Sequence, residues 1–146
     1  MLVSDRPSGF DVAIPFVEYS GIRLLETTVE KVVAELVLLD HHLNSAGYAH
    51  GGAVMTLLDV TMAIAGRMVA RDPGPADTVM ATIEMKTSFM QGARGRLSCT
   101  GRCLHQTRAL AFCEAEIRDE TDALIARASG TFRFMARKKE IGRAHV

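Results

Sequence analysis

The chain has 146 residues and a mass of 15.9 kDa, which is the size of one domain and leaves no room for a second. Its 17 basic and 17 acidic residues cancel, so no overall field favours nucleic acid or an acidic membrane. Cys99, Cys103 and Cys113 form no CxxC pair and are odd in number, which disfavours a disulfide framework or a zinc ribbon and favours buried thiols in a reducing cytoplasm.

The first part of the chain predicts a short helix followed by extended structure. Residues 1–7 lack the basic start and apolar core of a signal peptide, so we expect a cytoplasmic protein. Residues 10–20 favour a short helix that packs on the body of the domain from outside its core. Residues 22–39 are β-branched and apolar with interspersed charges, which predicts a hairpin turning near Glu30 and Lys31 or one long bent strand.

A loop rich in histidine, residues 40–49, leads to the next element. It contains His41 and His42, and His50 follows it directly. Three histidines and two aspartates within twenty residues invite a metal site, but their spacing matches no established ligand pattern. We therefore predict no metal ion, and we expect His41 and His42 to be surface residues.

A long apolar stretch after His50 predicts the central helix. In residues 53–70 the only charged side chains are Asp59 and Arg67, and no glycine or proline precedes Gly66. A helix that is apolar almost all round must be covered by other structure. Because an unpaired buried carboxylate is costly, we expect Asp59 to have a partner or a chemical role, and the alternatives are a partly exposed position on the helix or a structural hydrogen bond.

Two glycines at the start of this helix suggest a site for negative charge. Gly51 and Gly52 leave their backbone N–H groups uncovered by a side chain. The first N–H groups of a helix, together with its dipole, favour an anion such as the oxyanion that forms on a reacting carbonyl. A tight turn with no chemistry is the alternative explanation for a His-Gly-Gly sequence.

The spacing of Gly52 and Asp59 bears on the quaternary structure. Asp59 follows Gly52 by seven residues, which places it two turns and roughly 10 Å further along the same helical face. One helix therefore cannot bring both groups to one carbonyl. Two antiparallel copies around a twofold axis can, so a catalytic role for both residues predicts a dimer with its sites between the subunits.

The second half of the chain predicts four strands. Residues 71–77 are a breaker segment, and strand-like runs follow at 78–90, 94–105, 109–119 and 123–136. The short turns between them imply antiparallel pairing around one long helix, an α+β arrangement. In the first run, alternation puts Thr82 on the polar face, opposite Ala81 and Ile83, so it is either simply exposed or turned towards Asp59 by a bulge or a dimer seam. The basic residues 137–143 are expected to be a solvated end.

The motif Asn44-x-x-Gly47-x-x-His50-Gly51-Gly52, followed by Leu57-Leu58-Asp59, resembles the hotdog-fold acyl-CoA thioesterases of the phenylacetate-pathway (PaaI-like) type. The similarity covers residues 21–135, so residues 1–146 are expected to form a single hotdog domain, with a long central helix wrapped by an antiparallel sheet. The resemblance implies hydrolysis of acyl-CoA thioesters to free acid and coenzyme A. Coenzyme A is then part of the substrate, and no cofactor is needed.

The resemblance also implies roles for residues of the motif. The N–H of Gly52 would bind the thioester carbonyl, beside Gly51 as a substrate-binding residue. Asp59 would act as general base or as nucleophile. His50 and Asn44 would position the thioester and its loop.

Further residues follow from the same resemblance. Thr82, in the segment 81–84, would help to hold the attacking water. Thr107 and Arg108 lie in a turn similar to the pantetheine-contacting segment of the family, where a guanidinium can meet phosphate. The family forms homodimers and often homotetramers, which we expect here as well.

Two alternatives to hydrolysis stay open. A hotdog dehydratase or hydratase would act on hydroxyacyl thioesters, although those relatives use a differently placed histidine with an acidic partner. A non-catalytic acyl-CoA-binding sensor would share the fold. Eight methionines suggest an adaptable apolar pocket but do not identify the acyl group.

Overall fold

The computed structural model describes residues 6–138, and its elements follow the predicted order. The helices are α1 (Pro15–Ser20) and α2 (Gly51–Met68), and the strands are β1 (Arg23–Thr27), β2 (Val32–Val37), β3 (Thr78–Phe89), β4 (Arg96–Gln106), β5 (Leu110–Arg118) and β6 (Leu124–Ala136). Of the two readings of residues 22–39, the hairpin is confirmed, because β1 and β2 pair antiparallel. The part of the predicted solvated tail that follows Lys138 lies outside the described residues, and so do residues 1–5.

All six strands belong to one antiparallel sheet in the order β1-β2-β4-β5-β6-β3. Helix α2 crosses one face of this sheet and contacts every strand. Strand β3 lies at one edge and is hydrogen-bonded to β6. The expected hotdog arrangement of one long helix on an antiparallel sheet is confirmed.

The core lies between α2 and the sheet. Its helical side consists of Leu57, Leu58, Thr61 and Met62, which are fully buried. The segment before Gly21, which we expected outside the core, also contributes to it, since Phe10 and Val17 are only 1% and 2% exposed. Within residues 6–138, no helix is long and apolar enough to span a membrane.

One face of α2 is not covered by the sheet. Gly52 is exposed, and Thr56, Asp59 and Ala63 are half-buried, so a stripe at helical spacing stays accessible along the helix. This differs from the expectation of a helix that is covered all round. A single chain supplies only one sheet, and it leaves the face that carries Asp59 open.

The second charged residue of α2 anchors the end of the helix. Arg67 is 4% exposed, and its terminal nitrogens donate to both carboxylate oxygens of Asp11 at 2.8 and 2.9 Å. Its Nε donates to the carbonyls of Pro75 and Thr78 at 2.7 and 2.9 Å. The guanidinium beside Asp11 holds the pKa of that carboxyl below its usual value. These bonds join the N-terminal segment and the start of β3 to the last turn of α2.

Strand β3 contains a bulge at Ile83, because its pairing with β6 shifts between Thr82 and Glu84. Before the bulge, Met80 packs towards Gly66 of α2, and after it, Phe89 packs beside Gly51. Even-numbered residues therefore face the helix in the first half of β3 and odd-numbered residues in the second half. The predicted placement of Thr82 on the polar face is wrong, because the extra residue reverses the alternation.

Candidate active site

The loop before α2 is folded by Asn44. Its Oδ1 accepts hydrogen bonds from the backbone N–H groups of Ala46 and Tyr48 at 2.9 and 3.1 Å, and its own N–H donates to the Tyr48 carbonyl at 2.7 Å. Gly47 has a φ of 81°, in the left-handed region that favours glycine. The Asn44-x-x-Gly47 part of the motif therefore sets the path of the loop that delivers His50 to the helix.

His50 is the N-cap of α2. Its Nδ1 accepts the N–H of Gly52 at 2.8 Å, so the proton of the neutral ring is on Nε2. Its backbone N–H donates to the carbonyl of His42 at 2.7 Å. A Cβ on Gly52 would lie 3.0 Å from Nδ1, so glycine at this position leaves room for the imidazole. The N–H expected to bind a thioester carbonyl thus has a protein partner within the chain.

Asp59 lies two turns beyond Gly52 on the open face of α2. The hydroxyl of Thr82 on β3 donates to its Oδ1 at 2.7 Å. Within residues 6–138 the second oxygen, Oδ2, has no hydrogen-bond partner and is accessible from the open face. The pair is a carboxylate fixed through one oxygen, which leaves the other to accept a proton or to attack a carbon.

Thr107 and Arg108 lie at the other end of α2. The Thr107 N–H and Oγ1 both bond to the backbone of Leu110, which closes the turn between β4 and β5 at 2.8 and 3.0 Å. This turn borders a cavity of about 520 Å³ just past the end of the helix. Since α2 has 18 residues, its two ends are about 27 Å apart. One chain therefore does not bring Arg108 next to Gly52.

A second arginine, Arg71, lines the same cavity as Arg108. The amide group of Gln106 is oriented to satisfy its neighbours. Its oxygen accepts two hydrogen bonds from the Arg71 guanidinium at 2.9 Å, and its nitrogen donates to the Val69 carbonyl at 2.7 Å. Arg71 belongs to the breaker segment 71–77, and the sequence predicted no role for it. Its position directly after the last helical turn is the signal that could have identified it.

His42 is buried, and the prediction that it is a surface residue is wrong. Its Nδ1 accepts the Leu39 N–H at 2.9 Å and its Nε2 donates to the Ser20 carbonyl at 2.6 Å. His41 is exposed, as predicted, and its ring centroid lies 4.1 Å from that of His42, with the two ring planes tilted by 49°. In the described part of the chain, no group of three or more His, Cys, Asp or Glu side chains is arranged to hold a metal ion.

A second hydroxyl on β3, that of Thr87, was not singled out from the sequence. Thr87 Oγ1 is the one buried side-chain oxygen or nitrogen among residues 6–138 that has no hydrogen-bond partner. It follows the bulge at an odd-numbered position, on the side of β3 that faces α2. Nothing in its sequence context distinguishes it from the other threonines of the strand.

The chain and its fold match a known family. A model of the thioesterase superfamily matches residues 46–126, and the chain belongs to this superfamily. The Escherichia coli PaaI protein from the phenylacetic acid degradation operon shares the fold, with a TM-score of 0.73 at 17% identity over 82% of this chain and 83% of that one. The resemblance to thioesterases with the hotdog fold is thereby confirmed.

Two relatives are similar in sequence. A Caenorhabditis elegans protein whose name provisionally assigns it as an esterase is 33% identical over 114 residues, which are 76% of this chain and 64% of that relative. The chain thus spans slightly less than two thirds of its length. Mouse acyl-coenzyme A thioesterase 13 is 27% identical over 135 residues, with 90% of this chain and 89% of that protein covered. Together these likenesses support thioester hydrolysis as the general activity.

Proposed function

We propose that the protein hydrolyses acyl-CoA thioesters to a free acid and coenzyme A, at sites that two copies of the chain share. The observation that carries the proposal is the Asp59 carboxylate, held by Thr82 on an open face of α2 two turns from the glycines at the helix start. Membership of the thioesterase superfamily supports the reaction, and the mouse relative supports coenzyme A as the thiol.

The open face of α2 supports a dimer. Gly52, Thr56 and Asp59 form a stripe that the sheet of the same chain leaves accessible. Antiparallel packing of two such stripes would place Asp59 of one copy near Gly52 of the other. Strand β3 lies at the sheet edge with Ile83 and Phe89 exposed, and such an edge can pair with a second copy. A further pairing of two dimers would give the expected homotetramer.

In the proposed reaction, Asp59 Oδ2 takes a proton from a water molecule while the water oxygen attacks the thioester carbon. The oxyanion that forms is stabilised by the N–H of Gly52 and by the positive end of the α2 dipole. The C–S bond then breaks, and the thiolate receives the proton held by Asp59. Direct attack by Oδ2 would give a mixed anhydride, which water then opens.

The pyrophosphate and 3′-phosphate of coenzyme A require cations. Arg71 and Arg108 at the cavity beyond α2 provide two guanidinium groups. Both arginines lie beyond the C-terminal end of α2. In the proposed antiparallel dimer, they would therefore lie near the site that contains Asp59 of the same chain. We expect no cofactor in this reaction, because a carboxylate, water and backbone N–H groups complete it. We also propose the cytoplasm, where coenzyme A thioesters and reduced cysteines occur, as its location.

A non-catalytic acyl-CoA sensor is the second candidate, and one observation favours it. The Gly52 N–H is engaged by His50 at 2.8 Å, so a thioester carbonyl must displace or share this bond. If the imidazole does not yield, the helix start binds no oxyanion. The hydratase alternative gains no comparable support.

The test is release of thiol from acetyl-CoA, octanoyl-CoA and phenylacetyl-CoA by wild type, Asp59→Asn and Asp122→Asn. Asp122 is an exposed turn carboxylate with a positive φ that asparagine tolerates, which makes it a matched control. We expect Asp59→Asn to lower kcat by about 10²–10⁴-fold with the dimer intact by light scattering, and Asp122→Asn to match wild type. Near-normal turnover in Asp59→Asn would refute its role. No release from any thioester, with binding retained, would establish the sensor.

A further inference from the structure

A cavity of about 380 Å³ lies between α1 and the first turns of α2. Gly52, Ala53 and Thr56 form its wall on α2, and Phe16 and Tyr19 form its wall on α1. It therefore opens directly beside the N–H proposed to bind the thioester carbonyl. A group attached to that carbonyl has this cavity as its nearest enclosed space within the chain.

The lining of the cavity combines apolar and polar side chains. Ile22 and Leu36, each 1% exposed, are part of it, together with the imidazoles of His41, His42 and His50. Among residues 6–138, no Asp, Glu, Lys or Arg side chain lines the cavity. The volume lies near the lower end of the roughly 300–1,000 Å³ that is typical of small-molecule sites.

Hydrogen bonds connect α1 to the loop that precedes α2. His42 Nε2 donates to the carbonyl of Ser20, the last residue of α1, at 2.6 Å, and the carbonyl of His42 accepts the N–H of His50 at 2.7 Å. Gly21, with a φ of 82°, ends the helix in the left-handed region. The position of α1 relative to the helix start is therefore set by a short chain of hydrogen bonds through one buried imidazole.

The outer rim of the cavity is more open. Phe16 and Tyr19 are 64% and 82% exposed, which is unusual for large aromatic side chains unless they meet a ligand or a partner. The exposed side chains of Phe16 and Tyr19 line the outer part of the cavity, whereas the half-buried Ala53 lines it from α2. A larger side chain at Ala53 would shorten the space, and a smaller one at Phe16 would widen its entrance.

We infer that this cavity receives the acyl group and that α1 and Ala53 set the size of acyl group accepted. The inference rests on the proposed function and deepens it, because it assigns the acyl end of the substrate to a surface built partly by the N-terminal segment. Neither Phe16 of α1 nor Ala53 touches the reacting atoms, so both affect which acyl group is accepted rather than the chemical step.

The test compares kcat/KM for octanoyl-CoA and butanoyl-CoA in wild type, Ala53→Leu and Phe16→Ala. Ala13→Leu and Glu18→Ala are the matched controls, since both side chains are exposed near the same helix and neither lines the cavity. We expect Ala53→Leu to lower the octanoyl to butanoyl ratio at least tenfold and Phe16→Ala to raise it, with both controls unchanged.

An unchanged ratio in both cavity variants, with hydrolysis retained, would overturn the inference but leave the proposed function standing. Absence of hydrolysis in wild type would overturn the proposed function instead. Calorimetric binding then decides the inference, because Ala53→Leu should weaken octanoyl-CoA at least tenfold and leave acetyl-CoA unaffected. Equal weakening of both ligands, or of neither, would overturn it. Phe16 is largely exposed, so its truncation keeps the test valid if Ala53→Leu fails to fold.

Discussion

The hydroxyl of Thr82 on β3 lies 2.7 Å from Oδ1 of Asp59 on α2, one residue before the bulge at Ile83 that lets both halves of β3 face the helix. The bond joins the edge strand of the sheet to the open face of the central helix. It fixes the rotation of the carboxylate, so that Oδ2 is presented on that face in one orientation. A hydrogen bond to a charged group of this kind is worth about 1.5–3 kcal/mol.

Thr82→Val should therefore slow the reaction without preventing substrate binding. We expect kcat to fall about tenfold to a hundredfold and KM to change little, because the lost bond orients the base rather than the substrate. Thr87→Val is the matched control, as Thr87 sits on the same strand and its buried hydroxyl has no partner among residues 6–138. Equal losses in the two variants would show that Thr82 has only a structural role.

His50→Ala should destabilise the protein, and His50→Asn should restore the loss. The imidazole caps α2 through the Gly52 N–H, and asparagine is a good N-cap whereas alanine is not. We expect the free energy of unfolding to fall by about 1 kcal/mol in the alanine variant, measured by urea denaturation at a fixed protein concentration. Equal stability of the two variants would contradict the capping role.

Asp11→Asn should remove a pH-dependent part of the stability. Because Arg67 holds the pKa of Asp11 below 3.8 in the folded chain, the pair stabilises the protein above that pH and loses its contribution as the pH falls further. We expect the variant to be less stable by about 3 kcal/mol at pH 7, since it leaves a buried guanidinium charge without its partner. The difference from wild type should shrink below pH 4, roughly the pKa of an unfolded aspartate.

Urea denaturation at pH 7, 4 and 3 measures this effect, with Asp77→Asn as the control because Asp77 is an exposed carboxylate. A constant difference between wild type and Asp11→Asn over this range would mean that the ion pair is not its cause.

Cys103 should be the most reactive cysteine near neutral pH. A hydrogen bond from the Cys113 thiol stabilises its thiolate and lowers the pKa of Cys103 to about 7, whereas burial raises that of Cys99 to about 12. Iodoacetamide should label Cys103 first, with a half-maximal rate near pH 7 by mass spectrometry. In Cys113→Ala the midpoint should move towards the ordinary value of 9.0. An unchanged midpoint would exclude Cys113 as the cause.

The sequence was most informative where one chain determines the structure. The apolar run after His50 and the four alternating runs predicted α2 and β3–β6 to within a few residues, because the periods of 3.6 and 2 report burial directly. The motif residues Asn44 and Gly47 were also assigned to a loop, where their side-chain acceptor and positive φ have a local cause.

Features that depend on tertiary contacts were not predicted. The burial of His42 depends on the carbonyl of Ser20, which is 22 residues away, so the local sequence gives no sign of it. The orientation of Thr82 depends on one inserted residue in the pairing with β6. The role of α1 as a cavity wall requires that it return to the start of α2, which composition and periodicity do not encode.

The bulge at Ile83 also restricts which changes of length β3 can accept. Met80 and Thr82 face α2 before the bulge and Phe89 faces it after the bulge, although Phe89 lies seven positions beyond Thr82 and a regular strand would place it on the opposite face. Insertion or deletion of one residue elsewhere between Thr82 and Phe89, with the bulge retained, would turn one of the two sets away from the helix, whereas deletion of the extra residue itself would keep both sets facing it. Related sequences should therefore either keep both the bulge and the present number of residues between Thr82 and Phe89, or lose the bulge together with one residue.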